Sequence, residues 1–173
     1  VGPAQVDLVA VDVGPGSYTG LRVGVMAAKT FAFFAQAALI GLGSLRLAIG
    51  QVPCSGDSMA SPVFVARHRT IYAAAFEPVG GQWVRRHVDT VVSPEDLPGV
   101  LPPGSRIFGG ALERYGEALT NYERLTDVPT RIDPLTLARL AEDRYEAGER
   151  DDPMTLNVAY LRPPRTTTRK SAP

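Results

Sequence analysis

Residues 14–20 read GPGSYTG, three glycines and three hydroxyl side chains placed between an apolar run and a long apolar helix. Backbone N–H groups at a helix start point at whatever lies before it, and the helix dipole favours negative charge there. Gly14, Gly16, Ser17 and Thr19 therefore form a candidate anion-binding turn, with Arg22 close by. Stricter phosphate templates do not fit. The dinucleotide fingerprint G-x-G-x-x-G meets Thr19 where its third glycine belongs, and no acidic residue closes the next strand to hold a ribose. A P-loop needs a glycine and lysine where Thr19 and Gly20 stand, and Lys29 lies almost three turns on. A nucleophile elbow, G-x-S-x-G, is absent. The competing reading is that the glycines make a tight turn and Ser17 or Thr19 caps the helix.

Other reactive side chains are few. His68 and His87 lack metal-ligand spacing, and Cys54 has no adjacent base. No catalytic residue and no metal site is expected. Asp12, just before the turn, suits either a Mg²⁺ beside a phosphate or hydrogen bonds that hold the turn. Two basic runs, Arg67-His68-Arg69 and Arg85-Arg86-His87, have Tyr72 and Trp83 nearby, and Arg162, Arg165, Arg169 and Lys170 follow in the tail. Such runs touch RNA or are simply solvated.

Periodicity indicates the elements that position these residues. VDLVAVDV (6–13) reads as a strand, and the helix after the turn runs to about Ala38. Ala38 to Gly43 is a short strand, and Ser44 is expected to cap a second helix, LRLAIGQV. This strand–helix–strand order with short connections implies a parallel unit in an α/β domain. Residues 53–62 read as a loop, and 62–92 as two or three strands with a turn near Pro78 to Gln82. Ser93-Pro94-Glu95-Asp96 resembles a helix start, SRIFGG (105–110) a short strand, and ALERYGEAL a helix. Pro134 to Gly148 is amphipathic, capped by Asp133 and ended by Gly148. DDPMTLNVAYLRPP is a last extended segment, and the tail, 163–173, is expected to be disordered. The division expected is residues 1–50 as the remainder of a first lobe and 51–162 as a second.

The chain is 45% hydrophobic and 21% charged, with 18 basic against 18 acidic residues. Its overall field therefore favours neither nucleic acid nor a basic partner. One cysteine fits a reducing compartment. The apolar stretch 21–42 contains Arg22 and Lys29, and a mid-span charge costs roughly 2.5–3.5 kcal/mol on insertion scales, so no membrane span is expected. The chain starts VGPAQVDL, without methionine and almost on a strand, which is expected of a truncated product.

Within the helix the polar side chains Arg22, Lys29 and Gln36 recur every seven residues, on one stripe. Nearly everything else is apolar, whereas a helix on a sheet needs only one apolar stripe. Two surfaces should cover it: the chain's own sheet, and either another part of the protein or a partner. Gly20, Gly24, Ala28, Ala32 and Ala35 make a groove of small residues, and Phe31, Phe33 and Phe34 could serve as anchors.

GPGSYTGLRVGVMAAKTFAF resembles the TsaB (YeaZ) family, with its G-P-G-S-[FY]-T-G-L-R-[IV]-G run and alanine-rich helix containing A-K. Gly14 to Arg22, Gly24, Ala28 and Lys29 match in order. ALIGLGSLRLA (38–48) is similar to the family's I-x-G-[VI]-S-S-L-x-A-x-A, and the closing segment to its P-x-Y-L-R. In place of D-A-R-x-G-E-V-Y stands Val65-Ala66-Arg67-His68-Arg69-Thr70-Ile71-Tyr72, which retains the Arg and Tyr. The family's opening strands and first helix have no counterpart.

The resemblance implies a cytoplasmic protein with an actin-like/Hsp70-like (ASKHA, ribonuclease H-like) two-lobed fold, incomplete at its N-terminus. It implies a non-catalytic, glycoprotease-like (M22) paralogue that forms a heterodimer with TsaD, in a complex that also engages TsaE. That complex transfers threonylcarbamoyl to adenosine 37 of tRNAs reading ANN codons, with ATP and a metal ion expected on TsaD and TsaE and no cofactor on this chain. The partner interface is then expected at Gly20, Leu21, Arg22, Gly24, Val25, Met26, Lys29, Phe33 and Gln36. Two rivals stand: a sugar-kinase-type enzyme using the glycine turn and Asp12, and a self-associating homodimer that covers the helix with a second copy.

Overall fold

In a computed structural model, residues 2–129 and 131–161 are described. Strand β1 (Leu8–Gly14) leads through the glycine turn into helix α1 (Tyr18–Ala35), then strand β2 (Ala38–Gly43) and helix α2 (Ser44–Ile49). β1 and β2 pair in parallel, Leu8 opposite Ala38 and Asp12 opposite Leu42. Val11 and Leu39 face α1 in one core cluster, while Ile40 and Leu42 face the opposite side. Both faces of this small sheet are thus apolar, as a parallel strand buried on two sides requires.

The second sheet is built from short strands: β3 (Ala60–Val65), β4 (Ile71–Ala73), β5 (Phe76–Val79), β6 (Gln82–Arg85) and β7 (Thr90–Val92). They lie in the order β6-β5-β3-β4-β7 and are antiparallel to their neighbours. β8 (Arg106–Phe108) joins β3 in parallel, and β9 (Glu123–Arg124) joins β8. Helix α3 (Ala111–Tyr115) follows β8, and the Ser93 start is a 3-10 turn over Pro94–Gly99, with the Ser93 hydroxyl accepting from Asp96 N. Leu97, Leu101, Ile107 and Leu119 fill the core on one side of this sheet.

Helix α2 joins the two sheets through different faces. Leu45, Ala48 and Ile49 pack with Phe76, Trp83 and Phe108 of the second sheet, while Leu47 packs with Ile40, Leu42 and Ala141 of the first.

The C-terminal part of the chain, expected with the second lobe, packs on the first sheet. Helix α4 (Pro134–Glu146), capped by Asp133 as expected, covers the β1–β2 sheet opposite α1. Residues 151–159 then run back along the same sheet: Asp151 N donates to Leu39 O at 2.8 Å and Ala159 N to Val13 O at 2.7 Å. Leu156 and Val158 complete the core under α1. A two-stranded sheet cannot bury its own two faces, and the chain returns to do so. The expected tail, 163–173, lies outside the described residues.

The outer edge of β2 is closed by side chains. Gly41 N donates to Asp151 Oδ2 at 2.7 Å, and Arg144 Nη1 donates to Gly41 O at 2.9 Å while lying 3.6 Å from Asp151. Replacing Asp151 with alanine leaves an amide and a guanidinium short of their acceptor. It should cost about 1–3 kcal/mol in urea unfolding; an unchanged midpoint and slope would show that water replaces the carboxylate at no cost.

Candidate functional site: the glycine turn and its helix

The turn is held from within. Asp12 Oδ1 accepts from Gly14 N at 2.8 Å, and both of its oxygens accept from Ser44 Oγ, at 2.7 and 2.9 Å. One carboxylate thereby fixes the end of β1, the turn and the first residue of α2. Ser44 was expected to cap α2; its hydroxyl instead donates to Asp12, and Gly43 occupies the cap position with no side-chain bond. Gly14 has φ +102°, and a Cβ there would meet Leu21 Cδ1 at 2.8 Å. Only glycine combines that backbone with that approach.

Gly14 is buried, while Gly16, Ser17 and Thr19 are exposed. Ser17 occupies the N-cap position without a side-chain bond, and Thr19 lies within α1. Arg22 is drawn aside: Nη1 donates to Tyr18 Oη at 2.5 Å, with the guanidinium over the Tyr18 ring. The turn's Gly14 donor is consumed by a carboxylate, and a carboxylate beside a turn opposes a second anion.

Burial pushes the Asp12 carboxyl above its ordinary 3.8, and the hydrogen bonds from Gly14 and Ser44 offset this only in part. The folded chain therefore holds this proton to higher pH than the unfolded chain. Stability from this group is fully present below the ordinary value and is lost as pH rises through the folded one. The unfolding free energy of the native chain minus that of Asp12→Asn should accordingly fall as pH rises above 3.8. A difference that is flat or rises with pH would contradict the assignment.

Helix α1 presents two unlike sides. Val25 and Ala32, 3 and 2% exposed, pack on Val11, Leu39 and Val158, with Leu21 and Ala28 alongside. Val25 was expected at the partner interface, and it belongs to the chain's own core; Leu21 also turns inward, beneath Gly14. The small-residue groove divides likewise. Ala28 and Ala32 face the sheet, whereas Gly20 and Gly24 are exposed, and nothing lies within 4 Å of a Cβ at Gly24.

The other side is open. Val23, Met26, Phe33 and Phe34 are 65, 59, 72 and 79% exposed, and the two phenyl rings meet edge to face at 5.5 Å. Met26, Phe31 and Phe34 line an open apolar groove of about 480 Å³ that ends at Pro3. Phe34 was among the expected anchors, but Val23 was missed because several stripes of this helix are equally apolar; only the phase set by Val25 and Ala32 distinguishes it.

The polar stripe borders the core. Lys29 Nζ donates to Leu156 O at 3.0 Å, tying down the returning segment. Gln36 ends the helix in a left-handed conformation, φ 53°, earlier than the expected Ala38. Burying a charge at Val25 should unfold the chain, so Val25→Glu is expected to lose the cooperative transition, while Phe34→Glu keeps its melting temperature within about 2 °C because it disturbs no core contact. Equal destabilisation of both would mean that Phe34 is covered in solution.

The remaining candidates lie apart from this helix. His68 is exposed at the β3–β4 turn, and His87 is half-buried with Nδ1 2.9 Å from Val88 O. Cys54 is half-buried against the Leu45 cluster. Among the described residues no group of three His, Cys, Asp or Glu could hold a metal, and no helix is long and apolar enough to cross a membrane.

A family model described as "TsaD: tRNA N6-adenosine threonylcarbamoyltransferase" matches residues 1–132. The chain is 33% identical over 82 residues to the tRNA threonylcarbamoyladenosine biosynthesis protein TsaB of Bacillus subtilis (strain 168), a match spanning 46% of this chain and 34% of that protein. It is 26% identical over 174 residues to the protein of the same name from Escherichia coli (strain K12), spanning 92% of this chain and 75% of that one. The structure "YeaZ from Pseudomonas aeruginosa" superposes with a TM-score of 0.78 at 20% identity, over 93% of this chain and 77% of that chain. A second, described as an uncharacterized protein with similarity to peptidase YEAZ from Pseudomonas aeruginosa, gives 0.77 at 20%, over 94 and 76%. Those two likenesses concern the fold. With the Gly14–Arg22 run and the α1 helix in place, this chain belongs to the glycoprotease-like TsaD family, in its TsaB/YeaZ group.

Proposed function

We propose that this chain is a non-catalytic scaffold subunit of the machinery that makes threonylcarbamoyladenosine in tRNA, docking through the open side of α1 onto the catalytic paralogue TsaD. The observation that carries the reading is the exposed apolar row Val23, Met26, Phe33 and Phe34 on a helix whose other side is already packed. Burying one such side chain contributes about 1.5–3 kcal/mol, so a face of four can offset the entropy of association. The pathway comes from the names of the curated relatives. Asp12, the group a kinase-type reading would assign to Mg²⁺, is engaged in holding the turn.

On this reading the fold is the actin-like two-lobed one, the location is the cytoplasm, and TsaE joins the complex. ATP and a metal ion belong to TsaD and TsaE. Gly20 and Gly24 let the partner backbone approach, Met26 and Phe33 anchor it, and Arg22 and Lys29 border the contact. Val25 and Leu21 act indirectly, by fixing the phase of the helix.

Co-expression with TsaD of the same organism should yield a stable complex. Met26→Glu should weaken it by at least about tenfold, with the melting temperature of the isolated chain unchanged. Depletion of the protein should lower threonylcarbamoyladenosine in tRNA nucleosides measured by mass spectrometry. Wild-type levels after depletion together with no complex would end this reading. A homodimer that persists in the presence of TsaD would replace it with self-association through the same face.

A further inference from the structure

The chain carries equal numbers of basic and acidic residues, so any electrostatic recognition must come from a local imbalance. Of the two basic runs, the structure neutralises one. Arg85 pairs with Asp89, and Arg86 with Glu77. The other run, Arg67-His68-Arg69, is exposed at the turn between β3 and β4. Neither Arg67 nor Arg69 takes part in an ion pair or ring contact among the described residues. From 58 to 76 the sequence holds no acidic residue. At this end of the sheet β7 leads toward Glu95 and Asp96, which form no ion pair with the turn; Asp96 is instead engaged by Ser93.

The turn is also a fixed platform. His68 and Arg69 both have φ 58°, a left-handed pair that glycine would adopt more easily. Ala66 N donates to Thr70 O at 2.9 Å, and Thr70 Oγ1 donates to Arg67 O at 2.5 Å, closing the turn. The turn thereby carries Arg67 and Arg69 on one short exposed loop, and each guanidinium offers the planar fork of donors that matches phosphate oxygens.

We infer that the Arg67-His68-Arg69 turn is an RNA-backbone contact, at which Arg67 and Arg69 bind phosphate groups without reading bases. This rests on the tRNA-modification reading above and adds to it a surface remote in sequence from α1. Binding through phosphates is uniform across sequences and strongly dependent on salt.

The test is fluorescence anisotropy of a labelled, unmodified transcript of a tRNA reading ANN codons, titrated with the full chain between about 50 and 200 mM salt. Arg67→Glu/Arg69→Glu should weaken binding by about tenfold at the low end and reduce the slope of log K against log salt by about 2, one per arginine. Arg67→Lys/Arg69→Lys should retain the slope. Arg114→Glu/Arg139→Glu, equal in charge change and exposed on helices, should stay within about twofold of wild type. Absent wild-type binding, an unchanged slope in the first variant, or equal weakening by the helix variant would each overturn the inference. So would loss of the TsaD complex with RNA binding intact, which would make the turn a protein contact. The α1 reading is tested separately, by complex formation of Met26→Glu, and survives a failure here.

Discussion

The Asp12 carboxylate is the constraint on which the first half of this structure depends. It receives Gly14 N–H and the Ser44 hydroxyl, and so ties the end of β1 to the turn before α1 and to the start of α2. Desolvation raises its carboxyl above the ordinary range, so the contact forms at an electrostatic cost that the two hydrogen bonds only partly offset. What the contact fixes is direction. With Gly14 at φ +102° and Leu21 lying against it, α1 leaves the turn with Val25 and Ala32 on the sheet.

That phase decides what the helix offers to the outside. A helix with one apolar stripe would be satisfied by the sheet and would present polar residues to water. Here the residues turned away include Met26, Phe33 and Phe34, and the polar residues occupy the border instead. Lys29 spends its ammonium on the Leu156 carbonyl and Arg22 its guanidinium on Tyr18, so both act within the chain. The open face is consequently almost free of charge, the composition expected at the centre of an interface.

The distribution of arginines follows a similar division. Arg144 closes the edge of β2, Arg106 donates to the Ser55 and Ser58 carbonyls beside Trp83, and Arg85 and Arg86 meet carboxylates. These are structural uses of a cation. Among the described residues Arg67 and Arg69 take part in no ion pair or ring contact, although the backbone of their turn is held closely.

The sequence alone determined the local elements. The β1–turn–α1–β2 succession, the Asp133 cap and the Gly80–Gly81 hairpin turn all follow from short-range patterns, and the Gly14–Arg22 run was enough to indicate the family. Tertiary structure decided three further matters. It assigned residues 134–159 to the first sheet, because two strands alone leave both of their faces bare. It turned Ser44 from a cap into a partner of Asp12 across 32 residues of sequence. It also separated Val25 from Met26, one inward and one outward, since hydrophobicity is a property of the side chain whereas burial depends on which neighbour the helix happens to face.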